Sequence, residues 1–198
     1  MKKTIKILLI LAVIAIVLLP FTIRPYNNMV SKEETCNQAW SNVENVYQRR
    51  MDLIPNLVAT VQGAANFEKS TLEAVINARA KATAVNVNTD DLSEENIAKF
   101  QAVQDELGSA ISRLLVSVER YPELTATQGF RDLQAQLEGI ENRIATERNK
   151  YNETVQQFNS YIRQFPNNII AGICNFKSKG YFKASSGAEN SPKVEFDF

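Results

Sequence analysis

The chain of 198 residues sets 22 lysines and arginines against 22 aspartates and glutamates and contains no histidine. Zero net charge without a basic block gives no bulk attraction to nucleic acid, which is excluded as a partner on this ground. The missing histidine removes the commonest general base and metal ligand, so an enzyme is not expected, nor is a metal or a cofactor.

Lys2, Lys3 and Lys6 precede a charge-free run from Ile7 to Ile23 that ends at Arg24. At 1.5 Å per residue this run spans roughly 26 Å, long enough to insert into a hydrocarbon core of about 30 Å. It closes on Leu19-Pro20-Phe21-Thr22-Ile23, with no small-x-small cleavage site, and therefore reads as an uncleaved signal anchor over residues 1–25. The bilayer, met through residues 7–23, is thus the first expected partner, and single-pass residence in the cell membrane the expected location. Lysines before the span outnumber the basic residues Arg24 and Lys32 after it, favouring a cytoplasmic N-terminus and a body on the extracytoplasmic side.

From Tyr26 onward the apolar spacing becomes helical, with heptad seams through Tyr26, Glu33, Trp40, Tyr47, Ile54 and Val61, and through Met29, Cys36, Val43, Arg50 and Leu57. Pro55 interrupts the backbone ladder, but both seams keep their phase across it, which predicts a kink and not a turn. Gly63 and the segment Asn66-Phe67-Glu68 are weak break signals. A second helical stretch follows through Leu72, Val75, Ile76 and Ala82, and residues 85–92 form a polar linker.

Ser93, with Glu94 and Glu95 behind it, predicts a capped helix start. The next helix carries Ile97, Gln104, Ile111 and Val118 on one seam and Phe100, Leu107, Leu114 and Tyr121 on the other, and is closed by Pro122. Thr125-Ala126-Thr127 supplies a cap for the longest helix, Gln128 to Phe165, which repeats Phe130, Leu137, Ile144, Tyr151, Phe158 and Phe165 before Pro166. Ile169, Ile170, Ile173, Phe176, Tyr181 and Phe182 are expected to cap one end of the bundle, and residues 184–198 to form a loose tail. The expected fold is all-α: an N-terminal transmembrane helix followed by an elongated antiparallel four-helix bundle over residues 26–183. If the chain does not reverse near Asn66, three long helices result instead.

Arg49, Arg50 and Asp52 on the first helix and Glu138, Glu141 and Arg143 on the last lie near the seams, and predict inter-helix ion pairs that set register. Glu147 takes a seam position but is assigned no chemistry. Trp40, the single tryptophan, reads as a buried core aromatic, or as an interaction residue if it faces outward. Cys36 and Cys174 come to the same end only in the four-helix path, where a disulfide competes with two buried reduced thiols.

The run Ala39-Trp40 through Gln48-Arg49-Arg50-Met51-Asp52-Leu53-Ile54-Pro55-Asn56-Leu57-Val58 resembles the signature of the LemA family. Ala78-Arg79-Ala80, Arg113-Leu114-Leu115-Val116, Glu119-Arg120-Tyr121-Pro122-Glu123-Leu124, Leu137-Glu138-Gly139-Ile140-Glu141-Asn142-Arg143-Ile144 and Tyr151-Asn152 resemble its later blocks in the same order. Ile140 departs from the threonine expected there. The resemblance implies a bacterial membrane-anchored helical bundle without defined catalytic residues, and an outward-facing N-terminus, opposite to the lysine count. The functional expectation is a non-enzymatic scaffold or adaptor for protein partners whose identity the sequence does not specify. The alternative is a membrane-organising protein that self-assembles as a homo-oligomer.

Overall fold

A computed structural model describes residues 2–63 and 67–184, the side chains of residues 2–4, 7–8 and 10–21 excepted. The described residues are helical with no strand: α1 Lys2–Gln62, α2 Lys69–Ala84, α3 Glu94–Val118, α4 Pro122–Thr125, α5 Gln128–Arg163 and α6 Asn167–Ile173, with one 3-10 turn at Thr89–Asp91. The span expected over residues 7–23 falls mostly on side chains outside the described residues, as does the tail from residue 185. Among the described residues no helix is long and apolar enough to cross a membrane.

The heptad seams of α1 pack inward, leaving Met29, Cys36, Trp40, Val43, Tyr47, Ile54, Leu57 and Val61 buried. At its upper end the chain turns back, because Arg79 and Thr83 of α2 both reach Met51 of α1. This is the four-helix path. α1 packs most closely on α5 and α2 on α3, so the bundle is two antiparallel helix pairs laid face to face.

Pro55 explains part of how α2 docks. The helix runs through it unbroken. Its missing N–H leaves the Met51 carbonyl without its ordinary helical donor, and Arg79 Nε donates to that carbonyl at 3.1 Å. Arg79→Ala is expected to lose about 1–2 kcal/mol of stability in the native sequence. In a Pro55→Ala background the restored N–H fills the carbonyl and the loss shrinks. A double-mutant cycle by chemical denaturation measures this, and equal losses in both backgrounds would remove the coupling.

α2 is too short to pair with the lower half of the bundle. The fourth side there is supplied by irregular chain: Val87 and Leu92 from the linker, and a strap of residues 179–183 returning along α5. The strap's backbone has no sheet partner. Side-chain amides replace one: Asn159 both donates to and accepts from the Lys179 backbone at 2.9 Å, Asn152 does the same for Phe182 at 2.9 Å, and Gln101 clamps Lys183 at 2.9 and 3.0 Å. Gly180 passes so close to α3 that a Cβ would lie 2.6 Å from the Glu94 Cα, and only glycine fits.

Three sequence expectations change here. Phe182 does not cap an end; the returning strap carries it beside Trp40, where the rings stack at 5.9 Å. Phe165 continues the α5 heptad in sequence but is 81% exposed, because α5 ends at Arg163 and the chain leaves helical phase at Gln164. Ser93 occupies the cap position of α3 without a side-chain hydrogen bond, whereas the Thr127 hydroxyl accepts from the Phe130 N–H as expected.

Candidate functional site

The core is divided. A lower cluster gathers around Trp40, Phe100, Tyr151, Phe158 and Phe182, and an upper one around Leu57, Val75, Leu107 and Leu114. Arg50 lies between them, only 3% exposed. A lone guanidinium in such a place is costly, so its donors are committed to partners. Nη1 donates to Glu141 Oε1 at 2.9 Å, while Nη2 donates to the Gln104 backbone carbonyl at 2.8 Å and to Gln104 Oε1 at 2.7 Å. The guanidinium also stacks over the Tyr47 ring at 5.0 Å.

Room for this arrangement comes from Gly108, one turn beyond Gln104, where a Cβ would sit 3.4 Å from Arg50 Nη1. A glycine inside a helix costs about 1 kcal/mol relative to alanine. Here the missing side chain lets the guanidinium reach the α3 backbone. Two donors of this layer are buried without an acceptor among the described residues: Arg50 Nε and Gln104 Nε2.

The layer opens outward. Arg50, Gln104 and Tyr47 contribute to the lining of a cleft of about 1090 Å³ between α3 and α5. Its walls mix apolar residues, among them Ile111, Leu115, Leu137 and Ile144, with charges of both signs. Asp105 lies 3.9 Å from Arg148, and Glu106 is 2.7 Å from Lys81. Arg113, also in the lining, has no ion-pair partner among the described residues. Burial pushes the Tyr47 hydroxyl above its ordinary pKa, opposed by Arg148 and Arg50. A permanently charged arginine at the base is poorly suited to proton transfer; its chemistry is the donation of hydrogen bonds to carbonyl or carboxylate oxygens, and the two unmatched donors beside it are enclosed until a side chain turns outward.

Of the ion pairs expected from sequence, the structure joins Arg50 to Glu141. Arg49 and Arg143 instead line a shallow groove on another face, with Asp52 beside them. Asp52 accepts from Gln48 on its own helix at 2.7 Å, and Glu138 from Gln134 at 3.3 Å. The reason is helical geometry: Arg49 is turned about 100° from Arg50, and Arg143 about 200° from Glu141. Pro55 is exposed on α1.

Trp40 is fully buried, edge-on to Phe100 at 5.1 Å and to Tyr151 at 5.6 Å. Its indole N–H makes no well-formed hydrogen bond, and the group it faces is the Glu44 carboxylate one turn on, whose pKa burial raises and the indole pulls back down. The candidate disulfide is not formed, and both thiols are free. Cys36 points into the core, where burial raises its pKa against the opposing effect of the Thr154 hydroxyl, whereas Cys174 is exposed beyond α6. One thiol buried on a core seam and the other in solvent do not meet.

Sequence reading missed Gln101, Asn152 and Asn159, whose partners lie far along the chain. Gln104 and Gly108 did leave a signal: a carboxamide on a core seam and a glycine one turn later in the same helix.

The profile of the LemA family matches residues 39–196. The chain is 27% identical over 194 residues to magnetosome protein MamQ 2 of Paramagnetospirillum magneticum, covering 89% of this chain and 71% of that relative. Magnetosome protein MamQ of Magnetospirillum gryphiswaldense is 26% identical over 174 residues, covering 79% of this chain and 64% of the relative. Protein LemA of Metamycoplasma hominis is 23% identical over 159 residues, covering 80% and 69% of the two chains. The profile match begins at Ala39 beside the core tryptophan and takes in α2 to α6 together with the Arg50 layer, and the chain belongs to the LemA family.

Proposed function

We propose that this protein is a non-catalytic adaptor, held in the cell membrane by residues 7–23, which receives an extended segment of a partner protein in the α3/α5 cleft. The observation that carries this reading is the pair of buried donors, Arg50 Nε and Gln104 Nε2, left without acceptors in residues that line an open cleft. Buried donors are almost always satisfied in native proteins, and a partner's carbonyl or carboxylate oxygens would satisfy these once Arg50 and Gln104 turn toward the cleft, since neither donor atom is accessible where it stands. The apolar walls offer burial to side chains on the same segment, and Arg113 a counter-charge to an acidic one.

The test places a photocrosslinking residue at Ser109 or Ser112, both lining the cleft, in the full chain in its native membrane. A discrete heterologous adduct is expected. It should weaken with Arg113→Glu, an exposed change, and be absent when the probe sits at Thr146 outside the cleft. Adducts within one chain, involving residues 185–198, would mean that the protein fills its own cleft and would overturn the adaptor. A ladder of homo-adducts would favour the self-assembling alternative. Impermeant thiol labelling of Gln156→Cys in a Cys174→Ser background reads orientation, with reaction in intact cells expected for an extracytoplasmic body.

A further inference from the structure

The lower end of the bundle is built inside out. α6 buries Asn167 and Ala171, and Asn167 Nδ2 donates to the Tyr161 carbonyl at 3.2 Å. Ile170 packs partly buried against the lower core, but the other two isoleucines face the other way: Ile169 is 54% and Ile173 79% exposed, one turn apart on the same face, with Phe165 just ahead of them. A helix in water turns its apolar side toward its own core. This one sets Ile170 and Ala171 on the core and still shows Ile169 and Ile173 to its surroundings.

The position of α6 is informative. α5 descends until the Tyr161 hydroxyl accepts from Asn28 at 3.2 Å, and Phe176, just past α6, meets Tyr26 with ring centroids 5.7 Å apart. α6 therefore lies level with the part of α1 that directly follows the apolar run, where Ile23 and Tyr26 are also exposed. Arg24, Arg163 and Lys177 stand exposed near this end, and none has an ion-pair partner among the described residues. Outward apolar side chains mixed with aromatic and unpaired basic residues match the composition of a membrane interface.

We infer that α6 and Phe165 form a lipid-contacting foot, in which Phe165, Ile169 and Ile173 enter the boundary between headgroups and acyl chains while the basic residues meet anionic headgroups. The inference rests on the reading of residues 7–23 as an anchor. A second contact beside the anchor would restrain the tilt of a long rod that a single helix leaves free, and so set the height of the cleft above the bilayer.

The experiment uses the full chain in vesicles of phosphatidylcholine and phosphatidylglycerol, with the fluorophore NBD on the native exposed Cys174, next to Ile173; buried Cys36 stays unlabelled in the folded protein. The expected result is blue-shifted emission, quenched by spin-labelled lipid and shielded from aqueous iodide, with both effects lost in Ile169→Asp/Ile173→Asp at unchanged melting temperature. Emission as open to iodide as a label at Thr146→Cys, in vesicles that retain the protein through alkaline washing, would overturn the foot and leave the anchor standing. Shielding that depends on protein concentration and not on lipid quencher would mean that a second copy covers α6, which also overturns it. Alkaline extraction with lipid quenching intact beforehand would support the foot and remove the anchor.

Discussion

Trp40→Ala is expected to destabilise the protein by roughly 3–5 kcal/mol, the range for deleting a large aromatic from a packed core. The side chain is fully buried and packs against Phe100 from α3, Tyr151 from α5 and Phe182 from the strap, so the cavity would adjoin three separately held segments. Strap residues should lose protection first, since Phe182 stacks on the indole and Arg148 stacks over Phe182 at 4.8 Å. Denaturant unfolding gives the magnitude, and hydrogen exchange at residues 179–183 reads the strap. A midpoint shift near zero would mean that the indole does not hold the lower core together.

Arg50→Ala should cost about 2–4 kcal/mol, because it opens a gap between the two core clusters and leaves the buried Gln104 Oε1 without its donor. Losing the charge opposite Glu141 contributes less, since Glu141 is half exposed and water can solvate it. The double variant Arg50→Met/Gln104→Leu should behave differently. It replaces the polar layer with apolar side chains that join the two clusters, and such replacements are often neutral or stabilising. The expected outcome is a domain at least as stable as the parent that no longer forms the cleft adduct. If the double variant is as unstable as Arg50→Ala, the layer itself stabilises the fold, and its open donors lose their weight as a sign of function.

These residues differ in how legible they were. Trp40, Tyr47, Leu107, Leu114, Tyr151 and Phe158 could be assigned to the core from heptad spacing, since helical periodicity is a local property and an amphipathic face must be buried somewhere. Arg50 occupied a seam position, so its burial was visible, and Glu141 was among its proposed partners. That Arg49, Asp52 and Arg143 would not pair was also available from the helical angle, but proximity in sequence hid it. The Arg79 bond to Met51 was half visible: Pro55 announced a freed carbonyl and left its new donor unnamed.

The sequence by itself determined the helical class, the order of the long helices, the faces they bury and the family, because each follows from short-range pattern and residue chemistry. Only the tertiary structure decided that the chain reverses before α2, that a short α2 leaves the lower bundle to be closed by a strap clamped by Asn152, Asn159 and Gln101, and that Ile169 and Ile173 of α6 face outward. It also decided that the Arg50 layer opens into a cleft and that Cys36 and Cys174 stay apart. Each of these depends on which distant segments pack together, and with the chain's charges balanced and its apolar residues spread over every helix, local pattern leaves several pairings equally satisfied until side-chain volumes and backbone hydrogen bonds select one.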